Sequence, residues 1–181
     1  MFILTSPAIE DQGIYPDKFT MAKGQNSSPP LKWSGAPKGA KSYAVTLVDP
    51  DVPWGKFGLP GPGMVPGDLF VHWVLYDVPA NVKSLPEGAS PKGKIPKGAK
   101  QLDNTCLEFG KDSPFYQFRQ GYLGSAPPAG DKAHRYVFTA YALSKAKLPL
   151  APGARYTDFI AAISGNVLAR SSFLVYFGVK A

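Results

Sequence analysis

HRYVFTAYAL, residues 134–143, sets an imidazole and a guanidinium at the head of a run that otherwise reads as a buried β-strand. Alternation puts His134, Tyr136 and Phe138 on one face and Arg135 on the other. Three more runs have the same character: SYAVTLVD (42–49), LFVHWVLYDV (69–78) and SFLVYFGV (172–179). In the first, Tyr43, Val45, Leu47 and Asp49 share a face. In the second, strict alternation groups His72 with Phe70, Val74 and Tyr76. Both faces of these runs are mostly apolar, which predicts central strands covered on two sides. Helical spacing occurs in one place, through Phe159, Ile160, Ile163, Val167 and Leu168, with Thr157 or Asp158 available as N-cap and Gly165 weakening the interior. A mainly β chain with one late helix follows.

Length and composition frame that reading. The 181 residues suit a single domain, 1–181, with 44% hydrophobic and 13% aromatic residues available for a core. Nineteen glycines and nineteen prolines imply short strands joined by many turns. Two Gly/Pro-rich stretches, GKFGLPGPGMVPGD (55–68) and EGASPKGKIPKGAK (87–100), read as exposed loops. No run approaches the ~20 apolar residues of a membrane span. The single cysteine, Cys106, forms no internal disulfide, so a cytoplasmic location is expected, or a periplasmic one if the sequence is a mature form.

The net charge of +7 favours anionic partners in general. Lys92, Lys94, Lys97 and Lys100, with Lys83 nearby, could meet an acidic membrane surface, although a lysine-rich loop is more commonly just solvated. No aromatic residues interleave with these lysines as a stacking platform requires, so nucleic acid is not expected. HExxH, GxSxG and CxxC are absent. GASPKGK (88–94) matches GxxxxGK, but Ile95 stands where a nucleotide loop needs Ser or Thr, and the nearby prolines forbid the helix that should follow.

A constellation of three pieces carries more information: DPDVP (49–53), His72 within FVHW, and GYLGSAPPAGDKAHRY (121–136). Each places a polar group at a strand end or beside a turn, where rigid strands commonly present binding residues. Two histidines and a carboxylate among aromatics would form a polar pocket with hydrophobic walls. Each residue also has a plainer reading: a strand histidine as a satisfied core group, Asp before Pro as a turn cap, and Arg135 with Asp51 as a buried ion pair. A two-histidine, one-carboxylate metal site of Asp49, His72 and His134, serving a hydrolase or oxidase, remains open from residue type alone.

In order and spacing, these three pieces resemble the phosphatidylethanolamine-binding protein family, which includes the Raf kinase inhibitor protein. SPPLKWSGAP (28–37) looks like that family's early segment, and YDVPANVKSLPEG (76–88) with FIAAISGNVLARSSFLVYF (159–177) looks like its bacterial and archaeal branch. The resemblance implies a large antiparallel sheet packed against a smaller one with short peripheral helices, and one small cavity for phosphate-type anions, including phospholipid head groups. By matching position it implies a pocket of Asp49, Pro53, His72, Ala126, Pro127, His134 and Tyr136, with Phe70 at the rim. Since that pocket holds no plausible activated nucleophile, no catalytic residue and no cofactor is expected; the resemblance permits a surface role as a protease or kinase inhibitor or scaffold through the loops at 55–68 and 87–100.

Within that pocket the expected roles follow from chemistry. His134 donates to the anion, Asp49 orients an imidazole and favours its charged form, and Tyr136 adds a hydroxyl and an aromatic wall. Backbone N–H groups near Ala126 complete the cradle. Both histidines are expected to titrate near neutrality. Ala126, where relatives commonly carry glycine, is expected to tighten the pocket and restrict the backbone.

Overall fold

The computed structural model describes residues 1–52, 69–91 and 93–181. Two antiparallel sheets form the molecule. β1 (Ile3–Thr5), β2 (Leu31–Ser34) and β5 (Ser84–Leu85) make the smaller, in the order β1-β2-β5. The larger holds β3 (Ser42–Asp49), β4 (Phe70–Pro79), β6 (Lys100–Gln101), β7 (His134–Leu143) and β8 (Val167–Phe177), in the order β6-β4-β3-β7-β8. The expected strand runs therefore occupy the middle of the larger sheet and its β8 edge.

Both faces of that sheet are covered, as the apolar runs require. On one side Leu4, Leu31, Trp33 and Leu85 of the small sheet pack against Tyr43, Val45, Leu47, Trp73, Leu75, Tyr136, Phe138 and Val175. On the other, Ala44, Val71, Val74, Tyr76 and Leu143 pack under α1 (Tyr156–Ile163) through Phe159 and Ile163. Fully burying each such side chain contributes roughly 1.5–3 kcal/mol.

The helix is shorter than its sequence spacing. It stops at Ile163, and the Ser164 N–H bonds the carbonyls of Ile160 and Ala161. Gly165 follows at φ +71°, a turn conformation in which any Cβ is strained. Val167 and Leu168, counted into the helical face from sequence, open β8 instead, Val167 opposite Leu143. The apolar positions coincide because periods of 2 and 3.6 overlap over short windows. The N-cap is Arg155, and Asp158 works from the third helical position, accepting from the Arg155 N–H at 2.7 Å.

β4 departs from strict alternation at two places that matter. Ala44 faces both Tyr76 and Asp77, the latter at φ +57°, and His72 has no partner between the pairs Leu47↔Trp73 and Val48↔Val71. Each extra residue is a β-bulge that flips the side-chain phase. Val71, Val74 and Tyr76 accordingly pack toward the helix, and Trp73, Leu75 and Val78 between the sheets. Grouping His72 with Val74 and Tyr76 was an error of strict alternation: the bulge turns the imidazole to the opposite side, toward Tyr136 of β7.

The stretch 87–100 is less open than its composition suggests. Gly88, Ala89 and Ser90 are buried. Ser90 O accepts from Ser28 N, and Ser90 Oγ accepts from Tyr122 N, each at 2.9 Å, which locks this corner beneath the chain that leads to the pocket. Lys94, Lys97 and Lys100 are exposed as expected. Lys92, Pro53 and the loop 55–68 lie outside the described residues.

Candidate functional site

β3 and β7 lie side by side, so the last residue of one and the first of the other meet at one end of the sheet. There Asp49 Oδ2 accepts from His134 Nδ1 at 2.8 Å, both residues 2% exposed. Asp49 Oδ1 accepts from the Asp51 N–H at 2.7 Å, closing the turn after β3. Tyr136, two residues along β7 on the same face, stands near enough to Asp49 for the carboxylate to raise its phenol pKa. One carboxylate thus organises an imidazole and a turn.

His72 enters from β4. Its Nδ1 lies 2.9 Å from Leu123 O, and since a carbonyl only accepts, Nδ1 carries the proton. The bulged edge is held from outside: Leu123 N donates to His72 O at 2.9 Å, and Val71 N donates to Thr105 Oγ1 at 2.8 Å. The imidazole meets Tyr136 edge-on with ring centres 5.2 Å apart and packs on Phe70 at 4.6 Å. His134 lies parallel to Tyr136 at 6.4 Å.

These side chains surround a cavity of about 80 Å³, which Phe70, Ala126 and Pro127 also line. One water requires about 10–15 Å³ of such space, so the volume admits a few waters or one tetrahedral oxyanion. Seven of the eight residues assigned from sequence are therefore brought together; the eighth, Pro53, is undescribed. Ala126 is exposed at the mouth with φ outside the left-handed region, so its backbone carries none of the expected restriction. The neighbouring Gly124 N–H is engaged by Asn26 Oδ1 at 2.6 Å. A Cβ at Gly124 would meet Phe19 O and Met21 N at about 2.4 and 2.5 Å, so only glycine lets these two backbones pass.

The mouth holds residues that sequence reasoning missed. Cys106, Phe109 and Phe115 line it from the segment after β6. Asn104 caps a one-turn 3₁₀ helix, Thr105–Phe109, by accepting from Cys106 N, and its amide donates to Phe118 O and Gly121 O. That amide pins the aromatic segment to the pocket. Phe70, Phe109 and Phe115 form a ladder with ring centres 6.2 and 5.4 Å apart, and Phe115 is 44% exposed. Three phenylalanines, Phe109, Phe115 and Phe118, beside Tyr116 in one short segment were the available signal.

The two histidines differ electrically. Burial pushes His72 down to about 4, with Asp49's charge and the Leu123 hydrogen bond offsetting only part of the effect. It is neutral at neutral pH, contrary to the expectation that both titrate there. Burial also works against the charged form of His134, but the hydrogen bond and charge of Asp49, reinforced by Asp51 and Asp131, prevail and hold its pKa above the ordinary imidazole value. Tyr136 is pushed far up by burial and by Asp49, and so stays a donor. Burial raises the Cys106 thiol to about 12, which leaves little thiolate to act as a nucleophile.

Arg135 turns away, as alternation requires. It grips Asp51 with Nε and a terminal nitrogen at 2.9 and 2.8 Å. The pair expected from sequence exists, but the arginine side chain is half exposed, so it is a surface clasp on the β3 turn rather than a buried bridge. Among the described residues, no group of three His, Cys, Asp or Glu side chains stands where it could hold a metal ion. The Asp49–His72–His134 metal reading has no geometric support.

Comparison with known proteins agrees with this fold. Residues 5–178 match the family model for phosphatidylethanolamine-binding protein. A UPF0098 protein of Methanothermobacter thermautotrophicus is 34% identical over 171 residues, covering 94% of this chain and 95% of its own. The crystal structure of Escherichia coli YbcL, described as a new member of the mammalian PEBP family, superposes with a TM-score of 0.80 at 31% identity and 99% coverage of both chains. A lipoprotein-named relative, LppC of Mycobacterium tuberculosis, is 34% identical over 151 residues, 83% of this chain and 59% of its own. With the family model matching residues 5–178 and a relative 34% identical over 94% of the chain, this protein belongs to the phosphatidylethanolamine-binding protein family.

Proposed function

We propose that the chain is a non-enzymatic binding protein for small phosphate-type anions, phospholipid head groups among them, and that occupancy of the cavity modulates a protein partner. The observation that carries this reading is the Asp49–His134 pair at the floor of a small cavity, where a carboxylate keeps an imidazolium charged and correctly turned. Tyr136 supplies a second donor. The apolar ladder at the mouth suits the organic part of an ester. Among the described residues no group in the cavity is poised as an activated nucleophile, since the Cys106 thiol is held protonated.

Calorimetric titration with inorganic phosphate and with phosphoethanolamine tests it. His134→Gln is expected to weaken either ligand by about tenfold to a hundredfold, the range for losing a charge-assisted hydrogen bond of about 1.5–3 kcal/mol. A surface control, Lys97→Ala, should leave affinity nearly unchanged. Equal affinity in His134→Gln and wild type would reject the site.

A membrane role for the lysine loop is a separate expectation. No helix among the described residues is long and apolar enough to cross a membrane. Contact with an acidic surface would rest on exposed Lys94, Lys97 and Lys100, with Lys92, at about 1 kcal/mol per charge. Replacing the four by alanine should reduce binding to phosphatidylserine vesicles by two orders of magnitude or more at low salt, a change read by co-sedimentation. Undiminished co-sedimentation would reject that contact. For location we propose the cytoplasm, since a single free thiol needs no oxidising compartment; the lipoprotein name of one relative makes the envelope the competing site, and cell fractionation decides.

A further inference from the structure

The cavity's donors and acceptors constrain the form of the ligand, not only its class. His72 fixes its proton on Nδ1 by donating to Leu123 O, which leaves Nε2 as a lone-pair acceptor. No described group hydrogen-bonds that nitrogen, yet it is not sealed in the protein, and the ring lines the cavity. A fully ionised phosphate would set an oxygen anion against this lone pair.

Charge points the same way. The groups facing His134 are Asp49 and Asp51 from the end of β3, Asp131 on its own approach loop, with Oδ2 3.8 Å from Nε2, and His72 from β4. Arg135 is held by Asp51 at the surface. A single negative charge on the ligand finds the His134 imidazolium, and a ligand O–H finds His72 Nε2.

We infer that the cavity takes its anion in a singly protonated form, with the ligand's hydroxyl donating to His72 Nε2 and its charged oxygen facing the His134 imidazolium. The inference rests on the phosphate-type reading above and adds a specificity determinant to it. His72 acts as an acceptor that selects monoesters carrying a proton over diesters and over dianions.

The test uses methyl phosphate on the full chain and follows its ³¹P resonance. Free methyl phosphate loses its second proton near pH 6, so at about pH 7.5 it is mostly a dianion. The bound resonance is expected at the monoanion position there, with the ¹⁵N shift of His72 Nε2 reporting an unprotonated, hydrogen-bonded nitrogen. His72→Leu should weaken methyl phosphate by about tenfold while leaving dimethyl phosphate, which has no proton to give, nearly unchanged. A bound dianion beside a protonated His72 would put the proton on the protein and overturn the inference while sparing the site. A bound dianion beside a neutral His72 would overturn it as well. No saturable binding of either ester to wild type would remove the anion reading beneath it.

Discussion

Replacing Asp49 by alanine is expected to destabilise the fold by about 3 kcal/mol or more, read as a shift in the urea unfolding midpoint at neutral pH. Removing one member of a buried charged pair typically costs about 3–5 kcal/mol, because the survivor is left uncompensated. Here two groups lose their acceptor together: His134 Nδ1 and the Asp51 N–H. Asp49→Asn keeps the shape and one acceptor oxygen, so it should cost less. It should still let the His134 pKa fall, because burial then acts without the carboxylate's charge. A loss below about 1 kcal/mol in Asp49→Ala would mean that the carboxylate is not the organiser described above.

The second large effect belongs to acid. His72 has a folded pKa of about 4 against an ordinary value of 6.5, so the fold favours its neutral form. Its contribution is fully present above about pH 6.5 and is lost progressively as pH falls toward 4. At 1.36 kcal/mol per unit the loss is about 3 kcal/mol. His134 works in the opposite direction. Its folded pKa is raised, so its contribution is complete below the unfolded value and fades as pH rises through the folded one. Subtracting the stability profile of His72→Gln from that of wild type isolates the first term. The difference should move by about 3 kcal/mol between about pH 6.5 and 4. A flat difference would mean that His72 is hydrated and titrates normally.

Much of the fold was legible because it rests on periodicity. β3 is the run 42–49 to the residue, and β7 begins at His134 as its alternation required. What stayed hidden arose from irregularities that no period records. The bulge at His72 is set by pairing with β3 and by the outer ties to Thr105 and Leu123, none of them local in sequence. The end of α1 hung on Gly165, whose positive φ outweighed the apolar positions beyond it. Val167 and Leu168 then followed the strand.

The polar half of the candidate site was readable for the same kind of reason. Asp49, His72, His134 and Tyr136 sit on or at the ends of central strands, so locating the strands located the residues. The apolar half was not, because Cys106, Phe109 and Phe115 reach the mouth through a 3₁₀ turn held by the Asn104 amide. The electrical difference between the histidines was likewise out of reach. It depends on burial, which outweighs the Leu123 carbonyl bond and Asp49's charge at His72 but is overcome at His134 by Asp49 facing its Nδ1.

An oxyanion is expected to bind between these two histidines, and a crystal soaked with phosphoethanolamine at about pH 6, where His134 is charged and His72 neutral, decides it. Tetrahedral density is predicted inside the cavity, within hydrogen-bonding distance of His72 Nε2 and the Tyr136 hydroxyl and beside the His134 ring, with the ethanolamine directed past Phe70 to the mouth. An empty cavity in crystals whose ligand density lies elsewhere on the surface would contradict it.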